Sequence, residues 1–371
     1  MIKDPFHLQM KPLMRTLKIF GGTYLSENKE GKMEEKLLSL QGLYFIVAYS
    51  TQTCAWIVGN FFDVNMMDYF KSDAFSSQIT GVMYLTLTGM QSATLVYVFI
   101  NSGCLARYFN DWADFNNRFT CVMGYQHKFK YKKSIKILSL VSPVCILLCS
   151  HAATGIFRAT RWYHIIMPAI IVTVTWTNFY IYLFSCLELM CIANAIDAKL
   201  KRILVDDRSS AEHLYKIRRL WICCSHLVKS VGTALAVTLY LQLGTCVVVF
   251  SISAFGTISG LLGLDFNAKI FASSFLVSFV TAFGFFDIGE WTTYAVCTKV
   301  KATLSSARVR SRNPHFSDEV EVFIEAILSN FCCVTLGGLA TLSRKSLAPV
   351  MYAAVLNMVV LFQIQTSRNT K

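Results

Sequence analysis

The chain has 371 residues, 54% of them hydrophobic and only 15% charged, with a mean hydropathy of +0.47, whereas a soluble domain is nearer a quarter charged. The net charge of +13 would suit a nucleic-acid surface, but the basic residues fall between apolar runs, where they report membrane topology instead. The 13 cysteines suggest neither a disulfide scaffold nor a metal site: Cys54, Cys145, Cys149, Cys186 and Cys246 lie inside apolar runs, and the pairs Cys223–Cys224 and Cys332–Cys333 lack ligand spacing.

The first 36 residues are polar and basic, and the first apolar run starts too late for a cleaved leader. Uncharged runs then predict seven membrane spans: Leu37–Phe62, Gln78–Asn101, Ile137–Phe157, Tyr163–Leu187, Val231–Phe255, Ile270–Phe286 and Leu347–Gln365. A chain in lipid must satisfy its own backbone hydrogen bonds, and the runs lack the alternation of a barrel, so the expected fold is all-α. The divisions are a cytoplasmic segment 1–36, six helices with long connections over 37–291, a cytoplasmic or interfacial helical segment 292–345, and a last helix with a short tail over 346–371.

Lys71, Arg158, Arg161, Lys269, Arg368 and Lys371 stand on one side of these spans, and the remainder of the 35 Lys and Arg stand on the other. The positive-inside rule therefore puts the N-terminus in the cytoplasm and, with seven spans, the C-terminus outside. A G-protein-coupled receptor runs in the opposite sense. The cytoplasmic connections are long, and two read as helices. Ala211–Lys229 spaces Leu214, Ile217, Leu220 and Trp221 on one face, and Ser317–Ile327 begins with a capping Ser followed by Glu319 and Glu321. Ala326–Ser343 is also uncharged; its glycines and hydroxyls predict a half-helix broken near Gly337 and Gly338 rather than an eighth span.

Enzymatic signals are poor. The histidines form no metal pair, and there is no phosphate-cradling Gly loop or Ser elbow. No catalytic residue, cofactor or metal is expected. Asp287 and Glu290, three apart at the inner end of the sixth span, read as a solvated helix end or as a vestibule carboxylate pair that attracts cations. Tyr84, His151, Trp176, Phe250 and Phe275 read individually as packing or interfacial aromatics, and together as the lining of a pocket for a small, mostly apolar ligand. In that reading His151 or Asn178 orients the ligand, and Trp176 and Asn178 lie at the pocket floor.

The last span is the best candidate site. Its uncharged run Ser346–Thr366 would cover about 30 Å as a helix, a bilayer core. Asn357, Val360 and Gln363 recur at intervals of three and share a face. Amides meet water and a Val ring can close a water path by dewetting, so this stripe suits a pore. The competing reading is a packing helix whose amides bond to neighbouring helices.

The whole architecture resembles the insect gustatory receptor family. That family ends its last helix in Thr-Tyr, five apolar residues and Gln-Phe. Here the corresponding residues are Leu356-Asn357, Met358–Phe362 and Gln363-Ile364: the Gln and the spacer fit, while the Thr-Tyr and the final Phe do not. The lead-in TLSRKSLAPVMYAAVL and the opening KPLMRTLKIFGG are similar too. The resemblance implies a tastant-gated, non-selective cation channel in the plasma membrane of a sensory neuron. Its subunits would form a homo-tetramer or a hetero-tetramer with related subunits, with no nucleic-acid partner. Gln363 matches the signature Gln, and Val360 falls at the constriction one turn before it. The odorant receptors, which share the fold, are the nearest alternative, and a G-protein-coupled receptor is a more distant one.

Overall fold

The computed structural model describes residues 5–28, 31–58, 70–72, 74–154, 163–205, 211–263, 266, 268–308 and 314–369. Its helices are α1 (Pro5–Ile19), α2 (Leu40–Ile57), α3 (Phe75–Met123), α4 (Lys132–Thr154), α5 (Tyr163–Val205), α6 (Ala211–Ala234), α7 (Ala236–Leu261), α8 (Ala268–Thr293), α9 (Lys299–Arg308), α10 (Pro314–Ser329) and α11 (Arg344–Asn369). Two antiparallel hairpins interrupt this helical chain: β1 (Leu25–Glu27) with β2 (Met33–Glu35), and β3 (Thr335–Leu336) with β4 (Ala340–Thr341).

Four helical stretches among the described residues are long and apolar enough to cross a membrane: Ala169–Val205, Ala236–Leu261, Phe271–Ser306 and Arg344–Arg368. They coincide with the last four expected spans. Of the first three, the described residues are helical as well, except Leu37, Leu38 and Ser39, which form a turn before α2 begins at Leu40.

Two helices run much further than their uncharged stretches. The 49 residues of α3 extend for about 73 Å, and α5 has 43 residues. Neither stops where the apolar run stops, because nothing there breaks a helix; α3 ends only at Gly124, in left-handed backbone at φ 77°. Beyond the apolar zone both helices continue along the main core, which also holds Ile171, Val174 and Phe285 within the apolar runs. There Phe6 on α1 stacks on Trp112 at 4.0 Å, and Met10, Leu13, Met14 and Leu17 continue the buried stripe of α1. Glu188 on α5 is fully buried, takes a hydrogen bond from Gln9 Nε2 at 3.0 Å, and pairs with His127 Nε2 at 3.1 Å. The first hairpin is held to α3 by Asn110, whose amide accepts from the Met33 N–H (2.9 Å) and donates to its carbonyl (3.1 Å).

The expected amphipathic connections are both present. On α6, Leu214, Ile217, Leu220 and Trp221 are buried as their spacing requires. α10 covers the second, starting at Pro314 rather than at Ser317. The expected fifth span is divided by a non-helical residue, Leu235, between α6 and α7. The chain passes from α8 to α9 through a π-turn, Tyr294–Thr298. Trp221 Nε1 donates to the Val296 carbonyl there at 2.7 Å, supporting the turn where the helical ladder is irregular.

The half-helix expected over Ala326–Ser343 is corrected. Helix α10 stops at Ser329, and the β3–β4 hairpin follows, turning at Gly337 and Gly338 with φ of 55° and 80°. Both glycines occupy left-handed backbone, which ends a helix and closes a tight turn at little cost. The strand lies against Gly232 on α6, whose missing Cβ leaves room for the Thr335 carbonyl.

Candidate functional site

The last helix, α11, is fastened at both ends. At its start Ser343 Oγ accepts the Ser346 N–H at 3.3 Å as a cap. The Arg344 N–H donates to Glu290 Oε2 at 2.6 Å, and Arg344 Nε donates to Asp287 Oδ1 at 2.7 Å. Its guanidinium lies 5.5 Å from the centre of the Trp291 ring. Asp287 is thus paired with the Arg344 side chain and Glu290 is bonded to the Arg344 N–H, so the two are more than a solvated helix end. They hold the N-terminus of α11, where negative charge also complements the helix dipole. At the other end Arg368 donates to Gln78 Oε1 at 2.8 Å and covers the Phe75 ring at 5.1 Å.

Between these fastenings the helix has two unlike sides. Ala354, Met358, Leu361, Phe362 and Gln365 form the packed side. Phe362 meets Phe255 at 4.8 Å, and Ser259 Oγ donates to Gln365 Oε1 at 3.4 Å. Val360 and Gln363 are centred on the opposite side and are exposed, Val360 by 50%; Asn357 is exposed at its margin. The two readings of the amides therefore separate by residue. Gln365 is a packing amide bonded to α7, while Gln363 faces away from the bundle and Asn357 is exposed at the margin of that face. Only 6% of the most apolar stretch of α11 is buried.

A cavity of ≈ 490 Å³ opens between α3, α4, α5, α7 and α8. Trp176 lines it, as the aromatic reading expects. Phe250 and Phe275 do not: they pack on each other at 4.6 Å beside it. The wall of α7 is Gln242, Thr245, Cys246 and Val249, and Phe250, one residue beyond Val249, turns about 100° away from that wall. The side chains of Tyr84 and His151 lie outside the described residues. Asn178 is buried and donates to its own helix at the Val174 carbonyl (3.1 Å), facing a separate cavity of ≈ 20 Å³ rather than the floor of the large one.

Small polar residues complete the large cavity. Thr175, Thr245 and Thr281 each donate their hydroxyl to the carbonyl four residues back, at 3.0, 2.8 and 2.7 Å. Their protons are thereby committed, and each hydroxyl keeps acceptor capacity. Tyr180 donates to Ser142 Oγ at 3.4 Å across the α5–α4 wall. No Asp, Glu, Lys, Arg or His is among the described lining residues. The sequence signal for these positions is a polar side chain within an apolar run, which membrane depth makes costly unless it faces an interior; the pattern of aromatics does not carry it.

Long apolar helices enclosing a cavity with no charged residue among its described lining fit a multi-pass membrane protein of the helical-bundle kind. Residues 10–367 match the family model described as 7tm Chemosensory receptor. The chain belongs to that family, consistent with its resemblance to the insect gustatory receptors. Its role is chemoreception, and the family is not one of enzymes.

Proposed function

We propose that the chain is a subunit of a ligand-gated, non-selective cation channel that detects tastants at the plasma membrane of a sensory neuron. It spans the bilayer seven times, with the N-terminus cytoplasmic and the C-terminus outside. The ligand is small, uncharged and mostly apolar, and it binds in the ≈ 490 Å³ cavity beside Trp176. One helix cannot enclose a pore, so four subunits, identical or related, surround an axis with their α11 helices. Val360 forms the constriction, and Gln363 and Asn357 line the wet path beside it. Ligand binding favours the arrangement with the last helices apart, and the Val360 ring opens.

The observation that carries this reading is the divided surface of α11. Gln365 is bonded inward to Ser259, while Val360, Gln363 and Asn357 are turned out from a helix fastened at both ends. Heterologous expression with current recording tests it. A correctly inserted protein that gives no ligand-evoked current over a broad tastant panel would overturn the channel reading. A glycosylation site engineered at the N-terminus should remain unmodified; its modification would overturn the orientation.

A further inference from the structure

The thiols of Cys297 and Cys332 lie with their sulfurs 2.9 Å apart. The residues are 35 positions apart in sequence, and both are buried. Cys297 sits in the π-turn after α8, and Cys332 precedes the β3–β4 hairpin that leads into α11. Cys297 Sγ also lies 3.3 Å from the Cys332 carbonyl oxygen, so one residue engages both polar groups of the other. A closing movement of about 0.9 Å would bring the sulfurs to covalent distance, ~2.05 Å.

We propose that Cys297 and Cys332 are a redox modification site that closes to an intramolecular disulfide when a peroxide reaches it. The Cys332 thiol is pushed up by its hydrogen bond with Cys297 and then by burial, with the Lys229 charge opposing. With both sulfurs buried and 2.9 Å apart, either can meet the oxidant first; taking Cys297 as that sulfur, Cys332 is the resolving thiol. The Cys297 thiol gives up its proton as its sulfur attacks one peroxide oxygen; the O–O bond breaks, the departing hydroxide takes up that proton as one water, and a sulfenic acid remains. Cys332 then attacks the Cys297 sulfur, forming the S–S bond; the S–O bond breaks, and the departing hydroxide takes up the Cys332 proton as a second water. Two thiols lose two electrons and the peroxide gains them. The bond would fasten the base of α8 to the segment that enters the last helix. This assignment does not depend on the channel reading.

Other thiols are close enough to make the pairing a specific claim. Cys224 on α6 acts electrostatically on Cys332, and Cys333 is its chain neighbour. Cys121 is exposed and serves as a monitor of oxidant dose.

The test uses the purified full chain, reduced, then exposed to hydrogen peroxide and, in parallel, to diamide. Sulfenic acid is trapped with dimedone, free thiols are blocked with N-ethylmaleimide, and the protein is digested without reductant for mass mapping. The expected result is one linked peptide pair holding Cys297 and Cys332, two hydrogens lighter than the sum of its parts and reverted by dithiothreitol. Cys297→Ser and Cys332→Ser should each abolish it. If Cys121 is oxidised while Cys297 and Cys332 are both recovered as free thiols after unfolding, the proposal fails. It fails equally if Cys332 is found linked to Cys224 or to Cys333.

Discussion

Arg344 Nε donates to Asp287 Oδ1 at 2.7 Å, so the first residue of the last helix is tied to the end of α8, the helix that also walls the cavity. On the proposed reading this tie is a route from ligand to α11, because a shift of α8 moves the point at which α11 begins. The pair is part-exposed, so its free-energy worth is modest, up to about 1 kcal/mol after solvent screening. Asp287→Ala and Arg344→Ala should each move the half-activating ligand concentration. The double variant should move it by less than the sum, the deficit being a coupling of up to about 1 kcal/mol. Concentration–response curves at matched surface level check this; strict additivity would show that the tie plays no part in gating.

Val360→Ala should raise current in the absence of ligand while leaving surface expression unchanged, because Val360 is half-exposed on the side of α11 away from its packed residues. Phe362→Ala, two residues on, should behave oppositely. It removes a ring packed on Phe255 and should destabilise the chain by about 3 kcal/mol. Leak recordings combined with a thermal-stability assay in detergent separate the two. Unchanged leak in Val360→Ala at normal surface level would remove it from the gate.

Within the cavity, Thr245→Ile and Ser278→Phe replace small lining residues with bulk. Each should raise the half-activating concentration by about tenfold or more, an effect of at least ~1.4 kcal/mol on binding. Phe250→Leu should have a smaller effect, since Phe250 packs on Phe275 outside the wall. Equal effects at the three positions would argue that the ligand binds elsewhere.

Glu188→Ala should lower folded yield sharply. It leaves the buried Gln9 amide and the His127 ring without their shared acceptor, and each orphaned buried donor costs about 1–3 kcal/mol. Fluorescence-detected size exclusion after graded heating measures the loss. A stability equal to the parent protein would mean that the base tolerates the vacancy.

Gly232→Ala should disturb the second hairpin, because the new methyl would collide with the Thr335 carbonyl. Gly338→Ala differs in mechanism. Nothing stands within 4 Å of that position, and the strain comes only from its φ of 80°. Gly232→Ala should therefore be the more damaging of the two in the same heating assay.

Sequence patterning made the apolar helices legible because lipid leaves the backbone no alternative. The amphipathic spacing of Leu214, Ile217, Leu220 and Trp221 disclosed a packed helix in the same way. What escaped was set by contacts distant in sequence. The stacking of Phe6 on Trp112 turns a polar-looking leader into part of a core, and the approach of Thr335 to Gly232 selects a hairpin where the local pattern suggested a helix. At the site, the spacing of Asn357, Val360 and Gln363 was readable. The inward turn of Gln365 required Ser259, 106 residues away. The cavity wall was the least readable part, because hydroxyls bonded to their own helices look in sequence like ordinary interruptions of an apolar run.

The outward-facing amides have a consequence for the life of the chain before assembly. In the proposed four-subunit arrangement, a subunit alone in a bilayer would leave the exposed carboxamides of Asn357 and Gln363 against hydrocarbon, without the partner that Gln365 has. Membrane depth makes such groups costly until water or a neighbouring chain receives them. On that reading, the same amides that would wet the path also make the lone subunit the costlier state.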